Sequence, residues 1–200
     1  MAAKKVLETE KCCGQEIDLL DYTHIRAYHA CRPENVQLYT DIGLIPYDEA
    51  RALNDALQKL SGGNISEAKI REQFNKMWEN SDAYQHSVVW LALEKSELLG
   101  ASCHYLIYGS EFLNAMSMHL GCREKLKNIG RPTIVVCDIP TRDISRTWLD
   151  GLEESIADGW ASLRSIAVPS VAPQDIIEFI YPTSWVDDPY TGMRYKLSSK

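Results

Sequence analysis

The sequence has no long apolar run and no excess of basic residues. No stretch approaches the ~20 apolar residues that a membrane-spanning helix needs. Acidic residues number 28 against 21 Lys and Arg, a formal net charge of −7, whereas grooves that follow nucleic-acid phosphates usually carry a basic excess. Residues 1–10 are charged and contain no apolar signal-peptide core. These absences disfavour membrane proteins and general nucleic-acid binders, and they predict a cytoplasmic protein with no membrane partner.

The signatures of several enzyme classes are also missing. The sequence has no Walker loop, no Gly-x-Gly-x-x-Gly, no Gly-x-Ser-x-Gly elbow and no His-Glu-x-x-His helix. Its six cysteines include no Cys-x-x-Cys spacing, so no zinc site is expected and no metal is invoked. We expect the cysteines to be reduced structural thiols.

The residues that are present indicate one globular domain. Apolar residues make up 45% and charged residues 24% of the 200 positions, which is ordinary for a packed chain. We expect a single domain over 1–200 with a mobile N-terminal segment at 1–12. Hydrophobic periodicity and Gly/Pro punctuation predict helices at 33–39, 47–60, 66–79, 111–127 and 148–163, and strands at 25–31, 87–93, 103–108, 133–139, 165–168 and 176–180. Because βαβ alternation is irregular, we expect an α+β fold with a curved or split, mostly antiparallel sheet and about three main helices.

Two segments place polar side chains beside aromatic ones near strand ends and helix starts. The first is residues 28–46, which begins Tyr-His-Ala-Cys-Arg-Pro, and the second is residues 104–111, His-Tyr-Leu-Ile-Tyr-Gly-Ser-Glu. Such places can orient a ribose hydroxyl or stack a flat ring. The same residues also suit amphipathic positions at the edge of a core, and both interpretations stay open.

The first segment resembles the opening strand and helix of the ADP-ribosyltransferase superfamily. The matching residues are Tyr28, His29, Ala30, Gly43, Leu44 and Pro46. Residues 168–180 are similar to the closing apolar strand of many members, and the resemblance covers scattered pieces of the chain. It implies an enzyme that uses NAD as a substrate and transfers ADP-ribose to a macromolecular acceptor, either a protein or a nucleic acid.

Residue roles follow from this resemblance only at the matching positions. It implies that His29 binds the adenosine ribose of NAD and that Arg32 lies close enough to contact the pyrophosphate, since arginine pairs well with phosphate oxygens. Tyr105 or Tyr108 would stack on the nicotinamide ring.

The catalytic acid departs from the pattern of the family. Many members carry a glutamate at or just before the penultimate strand, and residues 165–168 contain no acid. Glu111 is the nearest substitute, followed by Glu153 or Glu154. A carboxylate at this place would stabilise the positive charge that develops on the ribose when the bond to nicotinamide breaks.

Two alternatives remain open beside the transferase. An acid directly after a capping Ser110 is stabilised by the helix dipole, so Glu111 needs no catalytic purpose. The chain would then be a non-enzymatic partner-binding protein on the same fold. A third hypothesis is a thiol- or histidine-dependent hydrolase, in which Cys31 would be the nucleophile and His29 its base if the thiol is used.

Overall fold

The main sheet of the protein has six strands, as seen in a computed structural model that describes residues 3–12, 14–159 and 164–198. The strands are β1 Val6–Leu7, β2 His24–Cys31, β3 Val89–Ala92, β4 Thr133–Pro140, β5 Ser165–Val168 and β6 Ile176–Ile180, and β7 Trp185–Asp187 with β8 Arg194–Lys196 form a separate pair. The order across the main sheet is β5-β3-β2-β4-β6, with β1 beside β2. The pairing is antiparallel except between β1 and β2. The strand pair β2–β3 is joined at one register position, Tyr28 opposite Ala92.

Helices surround this sheet on both faces. They are α1 Gln37–Ile42, α2 Glu49–Leu60, α3 Glu67–Glu79, α4 Ala83–Ser87, α5 Lys95–Leu99, α6 His104–Tyr108, α7 Glu111–His119 and α8 Arg146–Ala157. The α+β class with a mostly antiparallel sheet is therefore confirmed, but about three main helices is an undercount for the described part of the chain. The side chains of Ser66 and Ser110 cap α3 and α7 by accepting backbone hydrogen bonds from Lys69 and Leu113, which is the geometry that a helix N-terminus favours.

The core lies in two layers because successive residues of a strand point to opposite faces of the sheet. On one face, Tyr28 and Ala30 of β2 pack with α2, α3, α6 and α7. On the other face, Ile25, Ala27 and Cys31 of β2 pack with α8. Strand β4 is buried along its whole length, as expected for the apolar run at 133–139. The predicted strands at 25–31, 87–93, 165–168 and 176–180 are also present.

The strand predicted at 103–108 is wrong. This segment forms the short helix α6, whose Leu106 and Ile107 are fully buried in the first layer. A short apolar run has no period long enough to separate a buried helix from a buried strand. Gly109, with φ +89°, ends the helix in a conformation that other residues rarely adopt.

Several helix boundaries also differ from the sequence prediction. The helix predicted over 111–127 ends at His119, a 3₁₀ helix covers Arg123–Asn128, and Gly121 lies between them with φ +68°. The helix predicted at 33–39 begins only at Gln37 and ends at Ile42. Helix α8 ends at Ala157, and residues 160–163 of the prediction lie outside the described residues.

The described part of the N-terminal segment, residues 3–12, packs against the sheet. Val6 and Leu7 pair with His24 and Ile25 of β2. Leu7 is 1% exposed, and the buried hydroxyl of Thr9 donates a hydrogen bond to the carbonyl of Leu93. Burial of Leu7 stabilises this position of the strand, and the mobility of residues 1–12 stays a prediction.

Candidate functional site

A sharp corner between α6 and α7 brings the second sequence segment together. The chain turns at Gly109, and Ser110 caps α7 so that Glu111 is the first residue of that helix. Helix α6 therefore presents Tyr105 back toward Glu111, and the hydroxyl of Tyr105 donates a hydrogen bond of 2.8 Å to Glu111 Oε2. Local sequence spacing alone places these two side chains in contact.

Glu111 is held ionised on the surface. His104 Nε2 lies 3.5 Å from Glu111 Oε2, and the Glu111 side chain remains 61% exposed. The interaction with His104 lowers the pKa of Glu111 most, the Tyr105 hydroxyl lowers it further, and partial burial opposes both. Both neighbours contact Oε2, so Oε1 has no hydrogen-bond partner among the residues that the structure describes.

The turn after β7 supplies the opposite wall of this region. Asp188 is 1% exposed and accepts hydrogen bonds from the Tyr108 hydroxyl, the Thr191 hydroxyl and the Tyr190 backbone N–H. Burial disfavours the charged form of Asp188, but these hydrogen bonds and Lys127 Nζ, 3.9 Å away, outweigh it and lower its pKa. The turn is therefore fixed to α6 at Asp188.

Tyr190 extends from this turn over the cluster. Its ring centroid lies 5.7 Å from that of His104 and 6.1 Å from that of Tyr108, in edge-to-face arrangements. The guanidinium carbon of Arg123 lies 5.2 Å from the Tyr190 ring, a cation–π distance. We call Glu111, His104, Tyr105, Tyr108, Asn114, Arg123 and Tyr190 the Glu111 site.

The Glu111 site concentrates unpaired polar atoms. Within residues 3–12, 14–159 and 164–198, four buried side-chain nitrogen or oxygen atoms lack a hydrogen bond, and three of them belong to His104, Asn114 and Arg123. His104 Nε2 nevertheless lies 3.5 Å from the Glu111 carboxylate, so Asn114 Oδ1 and Arg123 Nη1 are the two atoms of this region that have no polar partner. Buried polar atoms are nearly always paired, and leaving one unpaired costs about 1–3 kcal/mol. Two such atoms near the Tyr190 ring mark this corner as a candidate ligand site.

Comparison of the chain with family models, with curated proteins and with solved structures finds no match. The function therefore has to be argued from the chemistry of the site itself.

His29 does not lie with Glu111. It lies two positions from both Ala27 and Cys31 on β2, so it shares their face of the sheet, which packs against α8. Helices α6 and α7 cover the other face. Its Nδ1 lies 3.0 Å from the carbonyl oxygen of Trp90. Burial lowers the pKa of His29, and the hydrogen bond to Trp90 opposes this only in part. The structure separates His29 from Glu111 by the thickness of the sheet.

The guanidinium of Arg32 is hydrogen-bonded to the protein's own backbone. Its guanidinium donates to the carbonyl oxygens of Ile129, Leu106, Lys127 and Gly130 at distances between 2.8 and 3.1 Å, and the residue is 7% exposed. Four of the five N–H donors of an arginine are thereby used. Arg32 holds the end of β2 against α6 and the loop before β4, and it does not face Glu111.

The two tyrosines of the sequence hypothesis have different surroundings. Tyr105 contacts Glu111 directly, and burial raises the pKa of its hydroxyl, as does the neighbouring carboxylate. Tyr108 is 2% exposed, its hydroxyl donates a hydrogen bond to Asp188, and its ring packs beneath that of Tyr190. Of the other acids considered, Glu153 Oε1 accepts the backbone N–H of Leu19 at 2.8 Å, and Glu154 is an exposed residue of α8.

The hydrolase hypothesis has little chemical support in this arrangement. Cys31 is buried, and burial raises the pKa of its thiol to about 12, so the reactive thiolate is scarce at neutral pH. Five cysteines are free thiols, Cys12, Cys31, Cys103, Cys122 and Cys137. Cys13 lies outside the described residues.

No group of three or more His, Cys, Asp or Glu side chains in the described part of the chain is arranged to hold a metal ion. None of the helices described has both the length and the apolar composition needed to cross a bilayer.

Sequence reasoning missed Asn114, Arg123, Asp188 and Tyr190. The only local signal for the last two was the turn composition of residues 187–192, Asp-Asp-Pro-Tyr-Thr-Gly, which is ordinary turn chemistry. Asn114 lies one helical turn after Glu111 in an otherwise apolar stretch. A buried asparagine on the same face as the exposed acid is the signal that would have extended the site.

Proposed function

We propose that the chain is an ADP-ribosyltransferase-like enzyme that cleaves NAD at the Glu111 site and transfers ADP-ribose to a macromolecular acceptor. The observation that carries the proposal is the setting of Glu111. Its carboxylate is ionised and exposed, is oriented through Oε2 by Tyr105 and His104, and has Oε1 available. A preoriented carboxylate beside aromatic rings is what an oxocarbenium-like transition state requires.

The proposed reaction uses no group other than NAD and the acceptor. The bond from ribose C1′ to the nicotinamide nitrogen breaks, and its electron pair leaves with nicotinamide. Glu111 stabilises the positive charge that develops on the ribose and accepts a hydrogen bond from its 2′-hydroxyl. A nucleophile of the acceptor then bonds to C1′ and releases its proton to solvent, which yields ADP-ribosylated acceptor, nicotinamide and a proton.

The surrounding residues support this role electrostatically. Arg123 places a positive charge next to the Tyr190 ring, and a guanidinium pairs well with the phosphate oxygens of a ligand such as NAD. The roles that the resemblance implies for His29 and Arg32 are not part of the proposal, because these residues do not face Glu111. The proposal therefore rests on the Glu111 site and not on the opening strand.

The test compares wild type with Glu111→Gln, which removes the charge and keeps the shape. Released nicotinamide is quantified by chromatography after incubation with NAD, and binding is measured by thermal shift. We expect Glu111→Gln to lower the release rate by about two to three orders of magnitude, as for loss of one transition-state contact. NAD at a hundredfold excess over Kd should stabilise the folded chain by about 2.7 kcal/mol.

The matched control is Glu67→Gln. Glu67 is also the first residue of a helix and also follows a capping serine, Ser66, so the two glutamates experience the same helix dipole. We expect the control to retain the wild-type rate. Equal effects of the two substitutions, or no thermal shift with millimolar NAD, would refute the proposal. His29→Ala should leave NAD affinity unchanged.

The partner-binding alternative is favoured by one different observation. Leu38 and Ile42 lie one turn apart on the outer face of α1 and are 49% and 44% exposed, and Ile45 nearby is 38% exposed. A partner could cover these side chains. Absence of any NAD-induced shift would favour this alternative, whereas labelled ADP-ribose found on added protein or nucleic acid would identify the acceptor class.

A further inference from the structure

We propose that the outer face of α1 is a docking surface for a basic amphipathic helix of a partner protein. The surface consists of Leu38 and Ile42 of α1 and of Ile45, which follows the helix, and we call it the α1 surface. Helix α1 packs through Tyr39 with the layer that contains α8, whereas α7, which carries Glu111, covers the other face of the sheet. The proposal therefore goes beyond the transferase reaction and holds whether or not the chain cleaves NAD.

Helix α1 exposes its aliphatic side chains to water. None of its six residues is buried. Tyr39 faces the protein, where its ring stacks on that of Phe179 of β6 with the centroids 6.4 Å apart. Leu38 and Ile42 lie one helical turn apart and are 49% and 44% exposed, and Ile45 is 38% exposed. A helix this short is not stable by itself, so packing of Tyr39 stabilises α1 while its aliphatic side chains have no cover.

The end of α1 is fixed to the body of the protein. Two backbone hydrogen bonds of 2.9 and 2.8 Å join Leu44 to Val171. Gly43, with φ +79°, allows this close approach, because a Cβ at its position would lie 2.0 Å from the carbonyl oxygen of Val171. The α1 surface is therefore formed before a partner binds. A preformed surface loses little conformational freedom on binding, so more of the burial energy contributes to affinity.

The charged residues that surround the α1 surface along the chain are all acidic. Residues 33–50 contain no Lys, Arg or His and four acids, Glu34, Asp41, Asp48 and Glu49. All four acids are exposed, and none of them forms an ion pair within the described residues. The basic residues on either side of this segment are directed elsewhere. Arg32 donates to backbone carbonyl oxygens, and Arg51 lies over the ring of Tyr47.

These acids determine the chemistry of the partner. An apolar stripe flanked by Lys or Arg matches both the aliphatic centre and the acidic border of the α1 surface. A second copy of this chain does not match, because an isologous contact brings identical patches together and would place acid against acid between chains of net charge −7. The phosphates of nucleic acids and of anionic membranes are repelled for the same reason.

The strand beside α1 favours a helical partner over an extended one. An extended segment would have to pair with β6, the edge strand of the sheet. The register between β4 and β6 shifts between Val136 and Cys137, so that Ile177 is opposite no residue of β4. Such a bulge twists an edge strand and hinders the addition of another strand. Leu38 and Ile42 instead form a ridge of the kind that fits the groove of a facing helix.

The experiment uses the full chain and two labelled peptides of about 18 residues, long enough to form a helix. Both peptides carry leucine at the same helical spacing, and they differ only in that lysine flanks the leucines in one and glutamate in the other. Fluorescence anisotropy measures their affinities. We expect the lysine peptide to bind about tenfold or more tightly than the glutamate peptide, and its affinity should fall as salt is added.

The first variant combines Leu38→Ser with Ile42→Ser. Both positions are exposed, so the melting temperature should change little, whereas affinity for the lysine peptide should fall about tenfold or more because the apolar centre is lost. Leu20→Ser is the matched control, since Leu20 is an aliphatic residue that is 81% exposed elsewhere on the chain. It should leave the affinity at the wild-type value.

The second variant, Asp41→Asn, tests the charge. Asparagine keeps an oxygen that can accept the hydrogen bond that Gln37 donates to Asp41, so the local structure should persist. We expect a weaker affinity for the lysine peptide and a smaller dependence on salt. Glu72→Gln is the control, because Glu72 is an exposed acid of α3, which packs on the other face of the sheet.

Two results would overturn the proposal. One is equal affinity for the two peptides, or equal losses in the Leu38→Ser/Ile42→Ser variant and in Leu20→Ser. The other is self-association in sedimentation that the same double variant abolishes, which would show that a second copy covers the α1 surface. Nicotinamide release is measured separately, so peptide binding without cleavage of NAD would support the docking surface and refute the transferase, and the converse result would do the reverse.

Discussion

The hydroxyl of Tyr108 donates a hydrogen bond to the buried carboxylate of Asp188, which follows 80 positions later in the chain. This contact ties the end of α6 to the turn that carries Tyr190. It also places a charge in a nearly solvent-free position, where Lys127 is the cation that approaches it, at 3.9 Å. The geometry of the Glu111 site therefore depends on contacts between distant segments, among them a second hydrogen bond from Cys103 Sγ to the Asp187 carbonyl oxygen at 3.2 Å.

Loss of Asp188 should destabilise the chain more than loss of the Tyr108 hydroxyl. We expect Tyr108→Phe to cost about 1.5–3 kcal/mol, the range for a hydrogen bond to a charged group. Asp188→Ala should cost more, about 3–5 kcal/mol, because it removes three hydrogen bonds to a charged group, those donated by the Tyr108 hydroxyl, the Thr191 hydroxyl and the Tyr190 backbone N–H. Urea unfolding measures both values. Asp187→Ala, at an exposed neighbour, should stay within about 0.5 kcal/mol of wild type, and equal costs for all three variants would contradict the assignment.

Arg32 should act on stability and not on NAD. Arg32→Lys loses the planar fork that reaches four carbonyl oxygens, so we expect a loss of about 3 kcal/mol in the free energy of unfolding. Arg142→Lys, at a side chain that is 85% exposed, is the control and should be nearly neutral. Unchanged stability together with weakened NAD binding would instead return Arg32 to the cofactor site that the resemblance implies.

Substitutions of Gly130 and Gly121 distinguish the cost of backbone strain from the cost of a steric clash. Both have positive φ, +62° and +68°. A Cβ on Gly130 would lie 2.3 Å from the carbonyl oxygen of Arg32, whereas a Cβ on Gly121 meets nothing within 4 Å. Gly121→Ala should therefore cost about 1–2 kcal/mol from conformation alone, and Gly130→Ala at least twice as much. Thermal unfolding checks this ratio. Similar losses of stability for the two variants would show that the loop before β4 moves to accommodate a Cβ at Gly130 at little cost.

His29 should make the folded chain sensitive to mild acid. Its pKa is lowered by burial, so the unfolded chain binds a proton at a pH where the folded chain does not. The free energy of unfolding must then fall as pH drops below the unfolded pKa of about 6.5. His29→Gln retains a donor for the Trp90 carbonyl and cannot titrate. We expect it to flatten the stability profile between about pH 5 and pH 6.5, and an unaltered slope would contradict the burial argument. The pKa of His86 is also lowered by burial, so His86 should contribute to the pH dependence of stability that remains in the His29→Gln variant.

Much of the fold was predictable because its signals are local. The strand at 133–139 is a mostly apolar run closed by Pro140, and the strand at 25–31 mixes apolar and aromatic residues with polar ones. Helices α2 and α3 combine helical periodicity with N-terminal caps. The segment 103–108 was not predictable, since its apolar residues suit either a buried strand or a buried helix. The helical conformation of this segment is stabilised by burial of Leu106 and Ile107 in the layer that contains α2, α3 and α7. The short β1 escaped prediction because two residues carry no periodicity.

The candidate site divides in the same way. Tyr105, Ser110 and Glu111 are neighbours in sequence, so a short helix, a glycine turn and a cap bring them together by local rules. By itself the sequence thus determined the α+β class and the exposed acid at the start of α7. Only the tertiary structure separated His29 from Glu111, because strand alternation fixes a face but does not say which helices cover it. It alone also joined Asn114, Arg123, Asp188 and Tyr190, because contacts between distant segments depend on how the whole core packs.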